Sequence, residues 1–185
     1  REKSIDTIKN ETKSLCEQTG YEEVSLSSLS TSDYTEINKL LENLVEYTDG
    51  EQINLSLPSL RIDNFSEELL EKIKSVRKSG LTFAPEAGTQ RLRDVINKNI
   101  TEDEIMRTCR TAFEGGYSTV KLYFMLGLPE ETLEDVEGIA KLAQKVLDLY
   151  YETPKEKRGK SVQISVSTAT FVPKPFTPFE FEPQA

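Results

Sequence analysis

The chain contains no histidine and only two cysteines among its 185 residues. Imidazole catalysis and histidine-bearing zinc sites are therefore excluded within it, and two thiols cannot hold a structural zinc or a cubane iron-sulfur cluster. Cys16 and Cys109 stand far apart, each inside a helical apolar pattern (Ile8, Leu15, Cys16; Ile105, Cys109, Ala112), and read as buried helix cysteines. Long hydrophobic runs are missing as well. No stretch approaches the roughly 20 apolar residues that span a bilayer, and the opening REKSIDTIKN has no signal-peptide core. Positive charge is scarce: 23 Lys and Arg against 32 Asp and Glu leave a net −9, which argues against a broad footprint on DNA or an anionic membrane. A cytoplasmic protein without a membrane partner is expected. Neither a Gly-rich phosphate loop with its Lys nor the G-x-G-x-x-G dinucleotide fingerprint occurs.

What is present reads as a folded globular chain, 36% hydrophobic and 30% charged. Short β-rich runs at Val24–Leu29, Ile53–Leu57, Leu81–Ala84, Val120–Leu126 and Val162–Val166 alternate with amphipathic helical patterns. One such pattern is Ile37, Leu40, Leu41, Leu44 and Val45; another is Val136, Ile139, Ala140, Ala143, Val146 and Leu147. Asp33 with Glu36 and Thr101 with Glu104 predict capping boxes, while Gly50, Gly80 and the Gly115-Gly116 pair mark helix ends. Strand starts fall 29, 28, 39 and 42 residues apart, the length of a strand, a covering helix and two loops, which predicts βα repeats and a parallel sheet.

The strands are apolar on one face only. Val120, Leu122 and Phe124 alternate with Lys121 and Tyr123; Val162, Ile164 and Val166 alternate with Gln163, Ser165 and Ser167. A parallel sheet covered on both sides would be apolar on both faces. A single helix layer and a polar concave face predict instead an α/β fold of the partial, open, TIM-barrel-like kind, a parallel βα barrel with about five βα units visible. Residues 1–170 are expected to form this barrel, and residues 171–185 an extended segment or a linker. The first element is a helix leading straight into a strand, and the chain opens on Arg1. A preceding strand is therefore expected upstream, the chain being an excised part of a longer protein.

In parallel barrels function sits at the carboxyl ends of the strands. The first visible strand ends in Ser27–Asp33, rich in hydroxyls that suit an amine or a carboxylate, or simply a helix start. The third ends in a Pro-Glu-Ala-Gly turn carrying Glu86, with Arg91 and Arg93 on the next helical turn. That set suits a zwitterion, ammonium at Glu86 and a guanidinium clamp on a carboxylate. The alternative is that both arginines point to solvent and pair with Asp94. The fourth strand runs into Gly127, where the backbone is free to approach a ligand, and Pro129, which stiffens the turn; Thr132 with Asp135 caps the long helix that follows. After the fifth, Pro173, Pro175 and Pro178 impose an extended path displaying Phe171, Phe176, Phe179 and Phe181, which either lines the pocket or links to another domain.

This order of motifs (a Ser-rich strand end, Pro-Glu-Ala-Gly-Thr with Arg91 and Arg93, Gly-Leu-Pro-Glu-Glu-Thr over Gly127–Thr132, and the Phe-Val-Pro-Lys-Pro-Phe-Thr-Pro-Phe tail) resembles radical S-adenosylmethionine enzymes. It is most similar to bacterial Fe-S oxidoreductases whose radical domain follows a cobalamin-binding-type domain, relatives of the methylthiotransferases. The resemblance implies a partial barrel binding a [4Fe-4S] cluster and S-adenosylmethionine, cleaved reductively to a 5′-deoxyadenosyl radical that abstracts hydrogen from a substrate.

Carried over by position, it places Ser27 and Ser28 at the methionine amino group, and Glu86 with Arg91 or Arg93 near methionine or ribose. Leu126, Gly127, Leu128 and Pro129, with Ala169, Thr170 and Phe171, fall beside adenine. Ser27-Ser28 stands where Gly-Gly-Glu is common, and Glu130 where Gly is frequent. The family's C-x-x-x-C-x-x-C loop follows its first strand, upstream of Arg1, so this chain is expected to hold no metal itself. Expected partners are the upstream and downstream domains of the same polypeptide, an external electron donor, and an RNA, protein or small-molecule substrate. Two further readings stay open: a module recognising RNA or protein through Lys155–Lys160, and a lyase or isomerase barrel using Glu86 and Lys121 as acid and base.

Overall fold

The computed structural model describes residues 2–26, 34–56, 81–159 and 161–184. The chain divides into two compact units, Arg1–Leu81 and Thr82–Ala185.

In the first unit, helix α1 (Ile5–Thr19) starts at Ser4, whose hydroxyl accepts from the Thr7 amide, and ends at Gly20 in the left-handed region at φ 71°. Strand β1 (Glu23–Ser25), helix α2 (Ile37–Glu51) and strand β2 (Asn54–Ser56) follow. β1 and β2 pair in parallel, Val24 opposite Leu55. The buried stripe of α1 is Ile5, Thr12 and Cys16. Leu15, expected inside, is 58% exposed, because the neighbour of Cys16 lies about 100° round the helix from it. Two expected helix signals also change. The cap of α2 is Glu36, with no side-chain hydrogen bond, and Gly50 lies within the helix, the left-handed stop falling on Gln52 at φ 58°. Ser27, Ser28, Asp33, Leu57 and Gly80 lie outside the described residues.

The second unit carries β3 (Leu81–Glu86, beginning at the unit boundary), α3 (Gln90–Val95), α4 (Glu102–Glu114), β4 (Thr119–Leu126), α5 (Leu133–Glu152) and β5 (Gln163–Thr170). The strand order is β3-β4-β5, with β4 and β5 parallel and Val120, Leu122, Phe124 and Leu126 opposite Ile164, Val166, Thr168 and Thr170. Val120, Leu122 and Phe124 are buried together with Ile105, Cys109 and Phe113 of α4 and Leu142, Val146 and Tyr150 of α5. Each such apolar side chain contributes about 1.5–3 kcal/mol. Phe113 and Tyr150 meet edge to face at 5.3 Å.

The architecture is α/β with parallel strands and a helix layer on the apolar face. The sheets are open; no closed barrel exists among the described residues. β3 runs two residues past its expected end, through Pro85; it is the first strand in the order among the described residues, and outer strands tolerate proline. β5 runs four residues further than expected because its ladder with β4 continues through small and polar residues. Val166, expected on the buried face, is 43% exposed; among the described residues β5 is the last strand in the order. Among the described residues no helix is long and apolar enough to cross a membrane.

Candidate functional site

The carboxyl ends of β3, β4 and β5 bring three loops together. The β4–β5 ladder pairs Met125 with Ala169 and Leu126 with Thr170, and the Phe171 amide then donates to the Leu126 carbonyl at 2.8 Å. The segments Leu126–Pro129 and Ala169–Phe171 therefore lie side by side. Beneath them Ala87, Leu92, Leu128 and Phe171 form a buried apolar plug, with Val95, Ile96, Met125 and Phe179 packed against it. Phe179 reaches this plug from the C-terminal segment and meets Phe171 edge-on at 6.0 Å. Phe176 of the same segment is 98% exposed.

Glu86 closes β3 with a positive φ of 68° and pairs with Lys98 at 3.3 Å. The two arginines beyond it are held by groups other than Asp94. Arg93 is fully buried, donating from Nη1 to the Ala87 carbonyl at 2.9 Å and from Nη2 to Gln90 at 3.2 Å. Burial lowers its pKa, against the opposing pull of Glu102 and Asp94. Among the described residues its Nε has no hydrogen-bond partner. Arg91 donates from Nη2 to the Glu130 carbonyl at 2.9 Å and to the Asp135 carboxylate. Asp94, the expected partner, instead accepts from Gln90 at 2.8 Å. A turn that folds back on itself leaves carbonyls in need of donors, and the guanidinium groups supply them.

Asp135 is the hub of this rim and is only 2% exposed. Its carboxylate accepts the Thr132 amide at 2.9 Å, the Thr132 hydroxyl at 2.6 Å, the Thr89 hydroxyl and Arg91. Burial alone raises its pKa, but these hydrogen bonds outweigh it and hold the carboxyl well below the usual range. The backbones also touch. A Cβ on Gly88 would lie 2.6 Å from the Gly138 carbonyl carbon, and one on Gly138 would lie 2.9 Å from that of Gly88. The turn after β3 is thus seated directly on the first turns of α5. Gly127, at φ 78°, donates its amide to Glu131 at 2.7 Å. The Thr132-x-x-Asp135 spacing signals a cap, but nothing local signals that Thr89 and Arg91 converge on the same carboxylate.

Below the rim the opposite face of the sheet is half open. Register places Lys121 beside Ser165 and Tyr123 beside Ser167, and the Lys121 ammonium lies 4.9 Å from the Tyr123 ring centroid. Glu86 spends its carboxylate on Lys98 rather than on Lys121. The basic stretch lies elsewhere, before the amino end of β5. There Arg158 stacks over Tyr150 and Tyr151 at 5.0 and 5.4 Å, donates to the Tyr150 carbonyl at 2.9 Å, and helps line a cleft of about 320 Å³.

The residues present do not fit an iron-sulfur cluster. Cys109 is fully buried in α4, and burial pushes its thiol up to about 12, so it is no thiolate ligand. Among the described residues no three potential metal ligands are grouped.

Comparison with known proteins agrees with this geometry. Residues 1–143 match the family model described as the Radical SAM superfamily. An uncharacterized protein of Methanocaldococcus jannaschii is 38% identical over 159 residues, covering 86% of this chain and 32% of that protein. An uncharacterized methyltransferase of Pyrococcus horikoshii is 31% identical over 93 residues, covering 50% of this chain and 20% of that protein. The chain thus spans a third or less of the length of these relatives.

Two solved structures share the fold. One is the radical S-adenosylmethionine methyltransferase TsrM of Kitasatospora setae, solved with tryptophan substrate and a cofactor analogue (TM-score 0.65, 16% identity, 78% of this chain and 29% of that one). The other is coproporphyrinogen III oxidase, HemN, of Escherichia coli, described as a radical S-adenosylmethionine enzyme (TM-score 0.58, 14% identity, 83% and 32%). With most of its length under the family model and its strands in the corresponding fold, the chain belongs to the radical S-adenosylmethionine superfamily.

Proposed function

We propose that the rim formed by the ends of β3, β4 and β5 is the S-adenosylmethionine site of a radical enzyme. The observation that carries this reading is the side-by-side placement of Leu126–Pro129 and Ala169–Phe171, tied by the Phe171 amide to the Leu126 carbonyl. Ala169 and Thr170 are small and exposed and leave room for a flat base, while the buried Leu128 and Phe171 exclude water beneath it. Glu86 offers a carboxylate at the same end of the sheet for an ammonium or sugar hydroxyl, with Lys98 balancing its charge. Arg91 and Arg93 act on the loops in this reading, donating to the Glu130 and Ala87 carbonyls.

S-adenosylmethionine held there would supply a 5′-deoxyadenosyl radical on one-electron reduction, and a [4Fe-4S] cluster delivering that electron would need thiolates other than the buried Cys16 and Cys109. The substrate contacts the half-open face, with Tyr123 and Lys121 about 10 and 17 Å below Leu126 at roughly 3.3 Å per strand residue. The test is anaerobic turnover by the whole protein after iron and sulfide reconstitution, with dithionite and S-adenosylmethionine. The reading requires 5′-deoxyadenosine and methionine by mass spectrometry; a fully loaded cluster that yields neither overturns it. The similarity to the Pyrococcus horikoshii methyltransferase favours methyl transfer as a second outcome, which S-adenosylhomocysteine among the products would reveal.

A further inference from the structure

The loop between β4 and α5 is the strained part of the rim. Glu130 sits at φ 60°, a left-handed conformation that non-glycine residues adopt only when their surroundings hold them there. The hold is Arg91, whose Nη2 donates to the Glu130 carbonyl at 2.9 Å. The same nitrogen donates to Asp135, so the buried carboxylate fixes where the guanidinium lies. Asp135 also ties the Thr89 hydroxyl, and Thr89 caps α3, the helix that carries Arg91, by accepting the Leu92 amide at 3.3 Å. A closed circuit results: turn after β3, α3, Arg91, Glu130, start of α5, and back through Asp135. Glu131, next in the chain, clamps the Gly127 amide at the other end of the loop.

We propose that Asp135 is a positioning residue for S-adenosylmethionine: its carboxylate orients Arg91, and Arg91 holds the Gly127–Glu130 backbone in the shape that receives the base. This rests on the reading of the rim given above.

The experiment uses the whole protein with S-adenosylhomocysteine as the probe, titrated calorimetrically, on Asp135→Asn, Arg91→Gln and the double variant. Each single variant is expected to weaken binding about tenfold, the size of one charge-assisted hydrogen bond, and the double variant no further than either alone. Amide exchange over 126–131 should quicken in both singles while 119–125 stays protected. Wild-type affinity in Asp135→Asn, or a loss there that Arg91→Gln does not share, overturns the proposal by reducing Asp135 to a helix cap. Should Asp135→Asn fail to fold, Arg91→Gln decides, because its side chain is half exposed. Failure of the wild-type protein to bind the probe would instead count against the rim as the cofactor site. In that event the exchange measurement alone decides whether Asp135 holds the loop: unchanged exchange over 126–131 in the variants overturns the proposal, and quickened exchange leaves Asp135 positioning a loop that binds something else.

Discussion

Replacing Gly138 by alanine sets two physical effects of opposite sign against each other. Gly138 lies inside α5, and intrinsic helix propensity alone makes alanine more stable there by about 1 kcal/mol. The structure says otherwise. The new Cβ would stand 2.8 Å from the Thr89 methyl carbon and 2.9 Å from the Gly88 carbonyl carbon, roughly half an ångström inside ordinary contact. The Thr89 side chain cannot simply rotate away, because its hydroxyl serves both Asp135 and the Leu92 amide.

Overpacking of this kind costs about 1–3 kcal/mol, and disturbing the Thr89 cap adds about 1 kcal/mol. The net expectation, with the helix-propensity gain set against these costs, is a loss of about 1–3 kcal/mol. Gly88→Ala should lose more, since its Cβ would meet only backbone atoms of Asp135, Gly138 and Ile139. Urea unfolding followed by circular dichroism measures both. A Gly138→Ala protein as stable as the wild type or more so would refute the close seating of the turn on α5.

Acid unfolding should expose the Asp135 hub. Its folded pKa is held down, so its contribution is complete above the ordinary carboxyl value of about 3.9 and is lost as pH falls below that towards the folded value. The stability gap between wild type and Asp135→Asn should therefore narrow below about pH 4; a constant gap would contradict it. Cys109, buried with its thiol pushed up to about 12, should resist iodoacetamide at neutral pH until the protein unfolds, as peptide mass spectrometry would show. Phe179→Ala should cost about 1–2 kcal/mol through its lost contact with Phe171 and the plug. Phe176→Ser, at a fully exposed side chain, should stay within about 0.5 kcal/mol of wild type in the same melt.

The strands and helices of the second unit were legible because one face of each is regularly apolar: Val120, Leu122 and Phe124 mark β4, and Thr101 with Glu104 marks the start of α4 by its capping box. The end of β5 was not legible. Ser167–Thr170 lacks the bulky residues that signal a strand, and only pairing with β4 extends it. Gly50 illustrates the converse, a residue that commonly stops helices yet sits within α2 because the chain finds its left-handed turn two residues later at Gln52.

At the site, reasoning from strand ends singled out Glu86, Gly127 and Phe171, and these lie at or just past the ends of β3, β4 and β5. The partners that Arg91 and Arg93 find in the fold were not legible, and the expected pairing with Asp94 does not form, Asp94 accepting from Gln90 instead. Arg91's carboxylate partner lies 44 residues away in sequence, and Arg93's main acceptor is a backbone carbonyl that only the folded turn presents. Side-chain spacing along a helix carries no information about either.

The central claim is that S-adenosylmethionine lies on the joined loops after β4 and β5, and hydrogen exchange by mass spectrometry on the reconstituted whole protein tests it most directly. Adding the cofactor should slow exchange over 126–131 and 168–172 and leave 155–159 unchanged. Saturating binding with no protection in either rim segment would contradict it.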